Sequence, residues 1–203
     1  MRYKSITNNP LARFEHFPPY GTMFDIFNDD ELKLIVDKFK SDNLVSGTLG
    51  SKNSVDHEVR ISNVKFHYPN EENFWIFERL NKTIEFINEQ FYNFDIYGYD
   101  SFQFTEYKSE ENGFYNWHMD TFLDVAERPF KGMRKLSLSL LLNDDFEGGE
   151  FVINSGEEKN LTTVPLKKGS AIVFPSFLIH KVTPVTKGNR YSLVVWATGP
   201  KFI

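Results

Sequence analysis

The densest run of ligand-type side chains in this sequence is Trp117-His118-Met119-Asp120. In extended backbone, residues i and i+2 point to the same side of the strand. His118 and Asp120 can therefore offer one nitrogen and one oxygen to a common point. Two ligands hold a catalytic metal poorly, so a third must come from elsewhere in the chain. His180 is the best candidate, because it follows the apolar run Ala171-Ile172-Val173-Phe174-Pro175, as a strand end facing a cavity would. Taken alone, His118 and Asp120 also fit an ordinary surface pair.

Two histidines and one carboxylate on one face of a metal leave three adjacent positions open. That donor set suits a non-haem Fe(II) oxygenase, which needs room for a chelating cosubstrate and for O₂. Ten residues beyond His180 stands Arg190, across a turn-rich connection that includes Pro184 and Gly188. A strand crossing between sheets there can aim Arg190 into the cavity of His180. A guanidinium fork matches a carboxylate in bidentate fashion and keeps its charge when buried. A dicarboxylic cosubstrate held at one end by the metal would place its far carboxylate on such a residue. The alternative for Arg190 is a structural ion pair. Trp196 shares the strand parity of Arg190 and is either a wall of the pocket or plain core.

These side chains need a scaffold, and the chain can build one. Its 203 residues suffice for one domain with a full core. With 21 Phe, 9 Tyr and 3 Trp the interior is unusually aromatic, which suits layered β structure around a wide pocket. The net charge of -5 argues against a nucleic-acid groove. The absence of cysteine removes disulfides, thiolate metal sites and cysteine nucleophiles. No signal-like apolar run opens the chain and no stretch approaches a membrane span, so the expected location is cytoplasmic.

Asn28 or Asp29 can cap a helix to about Lys40, with Leu32, Ile35, Val36 and Phe39 on one stripe. Residues 41–57 read as a loop and 58–68 as a strand. Phe74, Phe77, Leu80, Ile84, Ile87 and Phe91 recur at helical spacing and predict a second helix. Beyond Asp95, residues 97–107, 134–143, 150–153, 170–174 and 190–197 are strand candidates, punctuated by Gly113, Gly148-Gly149, Gly169 and Gly188. Helices followed by a long all-β half predict a single domain over 1–203. Helical support over about 1–95 packs on one sheet of a β-sandwich or jelly roll over about 96–203.

The chain resembles the 2-oxoglutarate/Fe(II) dioxygenase superfamily, in its prolyl-4-hydroxylase-like branch. The segments that carry the resemblance are Tyr107-Lys-Ser-Glu-Glu-Asn-Gly113-Phe-Tyr-Asn-Trp-His118-Met-Asp120 and Arg134-Lys-Leu-Ser-Leu-Ser-Leu-Leu-Leu-Asn143. Phe146-Glu-Gly-Gly-Glu150-Phe, Gly169-Ser-Ala-Ile-Val-Phe-Pro-Ser-Phe-Leu-Ile-His180 and Gly188-Asn-Arg190-Tyr-Ser-Leu-Val-Val-Trp196 follow in the family's order. Arg60-Ile-Ser-Asn-Val is similar, though less specific. The resemblance implies a double-stranded β-helix and an Fe(II) ion on His118, Asp120 and His180. It implies 2-oxoglutarate with its distal carboxylate on Arg190 and the Tyr107 hydroxyl as a second donor, a role that competes with simple packing of Tyr107. Where several relatives carry a tyrosine aimed at the cosubstrate, this chain places Leu141. Ser137 and Ser139 share its parity, so a serine hydroxyl or a water takes that place, with Ser139 the candidate. Leu141 and Trp117 are further candidates for the pocket wall.

The implied reaction consumes O₂ and 2-oxoglutarate, hydroxylates a substrate C–H bond and releases succinate and CO₂, with ascorbate as a candidate reductant. The branch points to a peptidyl residue such as proline. A free amino acid or other small molecule is the alternative, and a non-catalytic jelly-roll binding module is the rival outside enzymes. Nucleic-acid substrates are disfavoured by the charge and by Trp196, which stands where nucleic-acid demethylases of the superfamily have a second Arg. Segments 45–57 and 121–133 are long enough for substrate loops. His16, His57 and His67 read as loop or surface histidines, Asp144-Asp145 as a solvated turn and Glu110-Glu111 as a charged loop tip. Asp124 competes with Asp120 as carboxylate but lacks the H-x-D spacing.

Overall fold

A computed structural model describes residues 18–48, 55–121, 132–156 and 160–201. Strand β1 (Gly21–Met23) leads into helix α1 (Asp29–Phe39). Asn28 caps α1 through a full capping box with Glu31, and acidic residues fill the first turn. The helix buries Leu32, Ile35 and Phe39. A short strand β2 (Val45–Ser46) then occupies part of the expected loop. The single strand expected over 58–68 is in fact two, β3 (Arg60–Ile61) and β4 (Asn63–His67), which belong to different sheets.

Helix α2 (Phe74–Ile87) runs directly into a π turn over Asn88–Tyr92. The wider turn rotates the face that follows it. Tyr92 is buried in place of Phe91, and Phe74 at the helix start is also exposed, so the apolar stripe covers the middle of the helix only.

The β half comprises β5 (Phe102–Lys108), β6 (Phe114–His118), β7 (Met133–Leu141), β8 (Glu147–Gly148), β9 (Phe151–Asn154) and β10 (Leu161–Val164). It continues with β11 (Ala171–Pro175), β12 (Ile179–Val182), β13 (Val185–Lys187) and β14 (Asn189–Gly199). Seven strands form one sheet in the order β1-β11-β7-β14-β5-β4-β2, and five form a second in the order β10-β9-β12-β6-β3. β8 and β13 pair separately.

Strand alternation gives the larger sheet two different faces. Leu136, Leu138 and Leu140 pair with Ala197, Val195 and Leu193 and pack under both helices, together with Phe102, Phe104 and Val173. Residues of opposite parity, among them Ser137, Ser139, Ser192 and Trp196, face the smaller sheet. There Tyr107, Ile172 and Phe174 meet Phe151, Ile153, Val164 and Val182 in a second apolar cluster. The helices thus buttress one sheet, as the order of elements implied, and the chemistry sits between the sheets.

Candidate metal centre

Strands β6 and β12 run antiparallel with His118 directly opposite His180. Asp120 lies just past the end of β6, so the three predicted ligands meet although 62 residues separate the histidines. One donor atom from each lies within 4.8 Å of the others. His118 Nε2 is 3.6 Å from Asp120 Oδ1, and His180 Nε2 is 3.5 Å from Asp120 Oδ2.

The backbone settles which ring nitrogens face that point. His118 Nδ1 lies 2.7 Å from the Asn116 carbonyl and His180 Nδ1 lies 2.9 Å from the Leu178 carbonyl. Each Nδ1 therefore carries the proton and donates it, leaving both Nε2 lone pairs free for a cation. Burial, with His180 close by, pulls the His118 imidazole down to about 3, so the ring is neutral at physiological pH. Burial pushes the Asp120 carboxyl up, but His180, His118, Arg134 and the Ser137 hydroxyl together outweigh it and hold it below the usual range. Two imidazole Nε2 atoms and one carboxylate, pre-aimed, fit a divalent first-row cation.

A strand irregularity shapes the surroundings. His118 pairs with His180, yet Tyr115, three residues earlier, pairs with Val182, so β6 carries one extra residue. This bulge turns Tyr115 inward beside His118, with ring centroids 3.4 Å apart and planes 10° from parallel. The Arg60 guanidinium covers the other face of Tyr115, 4.6 Å from its centroid, and its Nε donates to Ser62 Oγ at 2.7 Å. Phe151 stacks on His180 and Phe174 meets it edge-on. Simple alternation puts Tyr115 on the face opposite His118, so strand periodicity alone does not mark it; Arg60 is visible in the sequence only as part of a weak motif.

Beside the triad opens a cavity with about 440 Å³ of free space, open solvent at its mouth included. Its lining brings together His118, Asp120, His180, Tyr107, Ser139, Arg190 and Trp196 with the unforeseen Arg60, Gln103, Tyr115 and Ser192. Arg190 is 2% exposed, stands opposite Tyr107 in the β14–β5 pairing, and its guanidinium carbon is 5.6 Å from that ring. Its Nη1 donates to Ser192 Oγ at 3.2 Å, while its Nε has no partner among the described residues. Burial pulls the guanidinium below its ordinary range, with Tyr107 opposing. No ion pair is made to it among the described residues. A buried cation left without a counter-ion is costly, and an anion entering the cavity would offset that cost.

Two candidates for the wall do not line it. Trp117 faces outward, because its neighbour His118 faces in; it is 36% exposed, with Lys181 Nζ 4.6 Å from its ring. Leu141 has the inward parity but sits one step beyond Ser139, opposite Ser192, and does not reach the cavity. His67 is not a surface residue either: its ring lies between Phe39 and Phe102 at the end of β4, at centroid distances of 4.1 and 5.2 Å. His57, Asp144, Asp145, Glu110 and Glu111 are exposed, as expected. His16, Asp124, residues 49–54 of one expected substrate loop and residues 122–131 of the other lie outside the described residues.

Residues 102–198 match the 2OG-Fe(II) oxygenase superfamily model. A PKHD-type hydroxylase of Alteromonas mediterranea is 38% identical over 91 residues, which are 42% of this chain and 38% of that protein. The chain spans well under half the length of the curated relatives it matches. Among solved structures, a Trichoplax adhaerens prolyl hydroxylase in complex with a hypoxia inducible factor peptide fragment shares the fold. It has a TM-score of 0.70 at 16% identity, covering 89% of this chain and 84% of that one. A viral collagen prolyl hydroxylase of Paramecium Bursaria Chlorella virus-1, in a 2OG complex, has a TM-score of 0.65 at 22% identity, covering 89% and 96%.

Proposed function

Because residues 102–198 match the 2OG-Fe(II) oxygenase superfamily model, we propose that the chain belongs to that superfamily and is an Fe(II)- and 2-oxoglutarate-dependent hydroxylase. One atom of O₂ enters a substrate C–H bond, the other enters succinate, and CO₂ leaves. The observation that carries this reading is the conjunction, in one cavity, of the His118–Asp120–His180 donor set with the buried, unpaired Arg190.

His118, Asp120 and His180 would hold the iron, which when bound supplies the oxidising chemistry that no side chain here can. Arg190 binds the far carboxylate of 2-oxoglutarate, steadied by Ser192 and flanked by Tyr107. Ser139 offers a hydroxyl where an aromatic hydroxyl is lacking. Trp196, whose buried indole N–H has no partner among the described residues, and Tyr115 wall the reacting centre and exclude water. The two facing sheets, between which the chain crosses at β5–β6–β7 and again at β10–β11–β12, support reading the core as a double-stranded β-helix, and the chain as one catalytic unit.

For substrate, the resemblance to prolyl hydroxylases supports a peptidyl proline. The second reading, a free amino or other small acid, is favoured by Arg60, whose guanidinium lines the cavity without a carboxylate partner among the described residues. The test is aerobic incubation with Fe(II), ascorbate and 2-oxoglutarate over panels of proline peptides and free amino acids. Succinate release is followed alongside mass spectrometry for an added oxygen. Coupled turnover with a peptide is expected. Turnover confined to free acids overturns the peptidyl assignment, and no succinate with any substrate overturns the enzyme reading.

A further inference from the structure

Asp120 is not positioned by the strand that carries His118. Its backbone N–H, and that of Thr121, both donate to the Ser176 carbonyl, at 2.9 and 3.0 Å. Ser176 in turn donates its N–H to the Lys135 carbonyl at 2.9 Å, fastening the start of the β11–β12 turn to β7. The same two elements hold the carboxylate. Ser137 Oγ, on β7, is 2.7 Å from Asp120 Oδ2, and Ser176 Oγ is 2.9 Å from Ser137 Oγ. Ser137 is 1% and Ser176 0% exposed, so bulk water does not compete for these hydroxyls.

The direction of the chain follows from counting hydrogens. An ionised carboxylate only accepts, and a serine hydroxyl has a single proton to give. Ser137 must spend its proton on Asp120, so the contact with Ser176 can form only if Ser176 donates. The order is Ser176 to Ser137 to Asp120, each bond polarising the next. In a buried site such charge-assisted bonds are among the stronger ones available to a protein.

We propose that Ser137 and Ser176 are positioning residues for the metal ligand Asp120. They form a one-way hydroxyl relay that fixes the carboxylate plane between the two histidines and thereby sets the affinity of the triad for its cation. The relay also joins the carboxylate to the turn that precedes His180, so two of the three ligands are set by one small hub at Ser176. This inference rests on the triad being a metal site and concerns how its carboxylate is held.

The test uses Co(II) as a spectroscopic probe with the whole chain. Affinity is measured by competition with a chromophoric chelator, and the visible absorption of the bound ion is recorded. Ser137→Ala is expected to weaken Co(II) binding roughly tenfold to a hundredfold, the usual cost of losing an outer partner of a metal ligand, and to alter the spectrum. Ser176→Ala is expected to weaken binding less, because Ser137 keeps its bond to Asp120. Ser137→Thr keeps the hydroxyl and is expected to restore both affinity and spectrum to near those of the unmutated protein. Thermal melts without metal confirm that each variant folds. Unchanged affinity and spectrum in Ser137→Ala overturns the relay while leaving the oxygenase reading intact, since that stands on succinate release. Equal losses in Ser137→Ala and Ser137→Thr also overturn it, because packing and not the hydroxyl would then be responsible.

Discussion

Arg190 lies directly opposite Tyr107 across the β14–β5 pairing, its guanidinium carbon 5.6 Å from the tyrosine ring. Both residues stand on adjacent central strands of the larger sheet and both side chains are buried. The cosubstrate would meet a cation whose position is fixed before it arrives, which lowers the ordering cost of binding. Arg190→Met should cost about 2–5 kcal/mol of 2-oxoglutarate binding, roughly thirtyfold or more in Kd, with Co(II) affinity little changed. Arg190→Lys should rescue only part of the loss, since an ammonium cannot make the forked contact. Titrating 2-oxoglutarate into the Co(II)-loaded proteins checks both.

His118→Ala and Asp120→Asn remove donors outright and should weaken Co(II) binding by roughly two orders of magnitude or more, exceeding the effect of any outer partner. Prior treatment with a chelator should abolish succinate release from the unmutated protein, and added Fe(II) should restore it. Activity that survives chelation with the metal removed would contradict the assignment.

Gly149 has φ +65, and a Cβ there would stand 2.9 Å from Arg190 Cδ and 3.0 Å from Val185 Cγ2. Gly149→Ala therefore combines left-handed backbone strain of about 1–2 kcal/mol with a push on the stem of Arg190. It should lower the unfolding midpoint and raise the KM for 2-oxoglutarate together. A variant that loses stability alone would show that Arg190 relaxes freely, which its burial argues against.

His67 supplies a pH dependence away from the metal. Burial lowers its imidazole below 6.5, against the pull of Asp42, with Lys65 and Lys38 adding to the lowering. The folded state therefore binds the proton less readily than the unfolded state. Its contribution to stability is complete above pH 6.5 and is lost as pH falls from there toward the lower folded value. Denaturant midpoints measured from neutral pH downward should fall less steeply in His67→Phe, which keeps the stack on Phe39 and Phe102 but cannot titrate.

Those residues that obey simple periodicity were legible from the sequence. The leucines of β7, the middle of α2 and the shared side of His118 and Asp120 all follow from strand or helix repeat. Arg190 was legible because its residue type and distance from His180 make chemical sense together. What escaped notice depends on a departure from repeat or on long-range pairing. The bulge in β6 turned Tyr115 inward, the π turn exchanged Phe91 for Tyr92, and the break at Ser62 sent β3 and β4 to different sheets. Trp117 was misplaced by adjacency to the ligands, where strand alternation already assigned it outward. Ser176 and Ser192 stand inside the family-like segments with nothing to mark a role, and Gln103 stands outside them, since a serine or glutamine becomes functional only through what the fold sets beside it.

The cross-strand placement of His118 and His180 also bears on how the protein breathes. A cation shared by two adjacent strands ties their fluctuations together, because β6 and β12 cannot part while both imidazoles remain bound. Ligation that exists only in the closed state deepens that state by mass action, and the effect is local to the paired elements. Amide exchange along β6 and β12 would then slow on metal loading, while the Leu-rich strands beneath the helices, already protected by their own burial, would exchange at nearly the same rate. A bound cation would in this sense rivet the smaller sheet, with the larger one as the anvil.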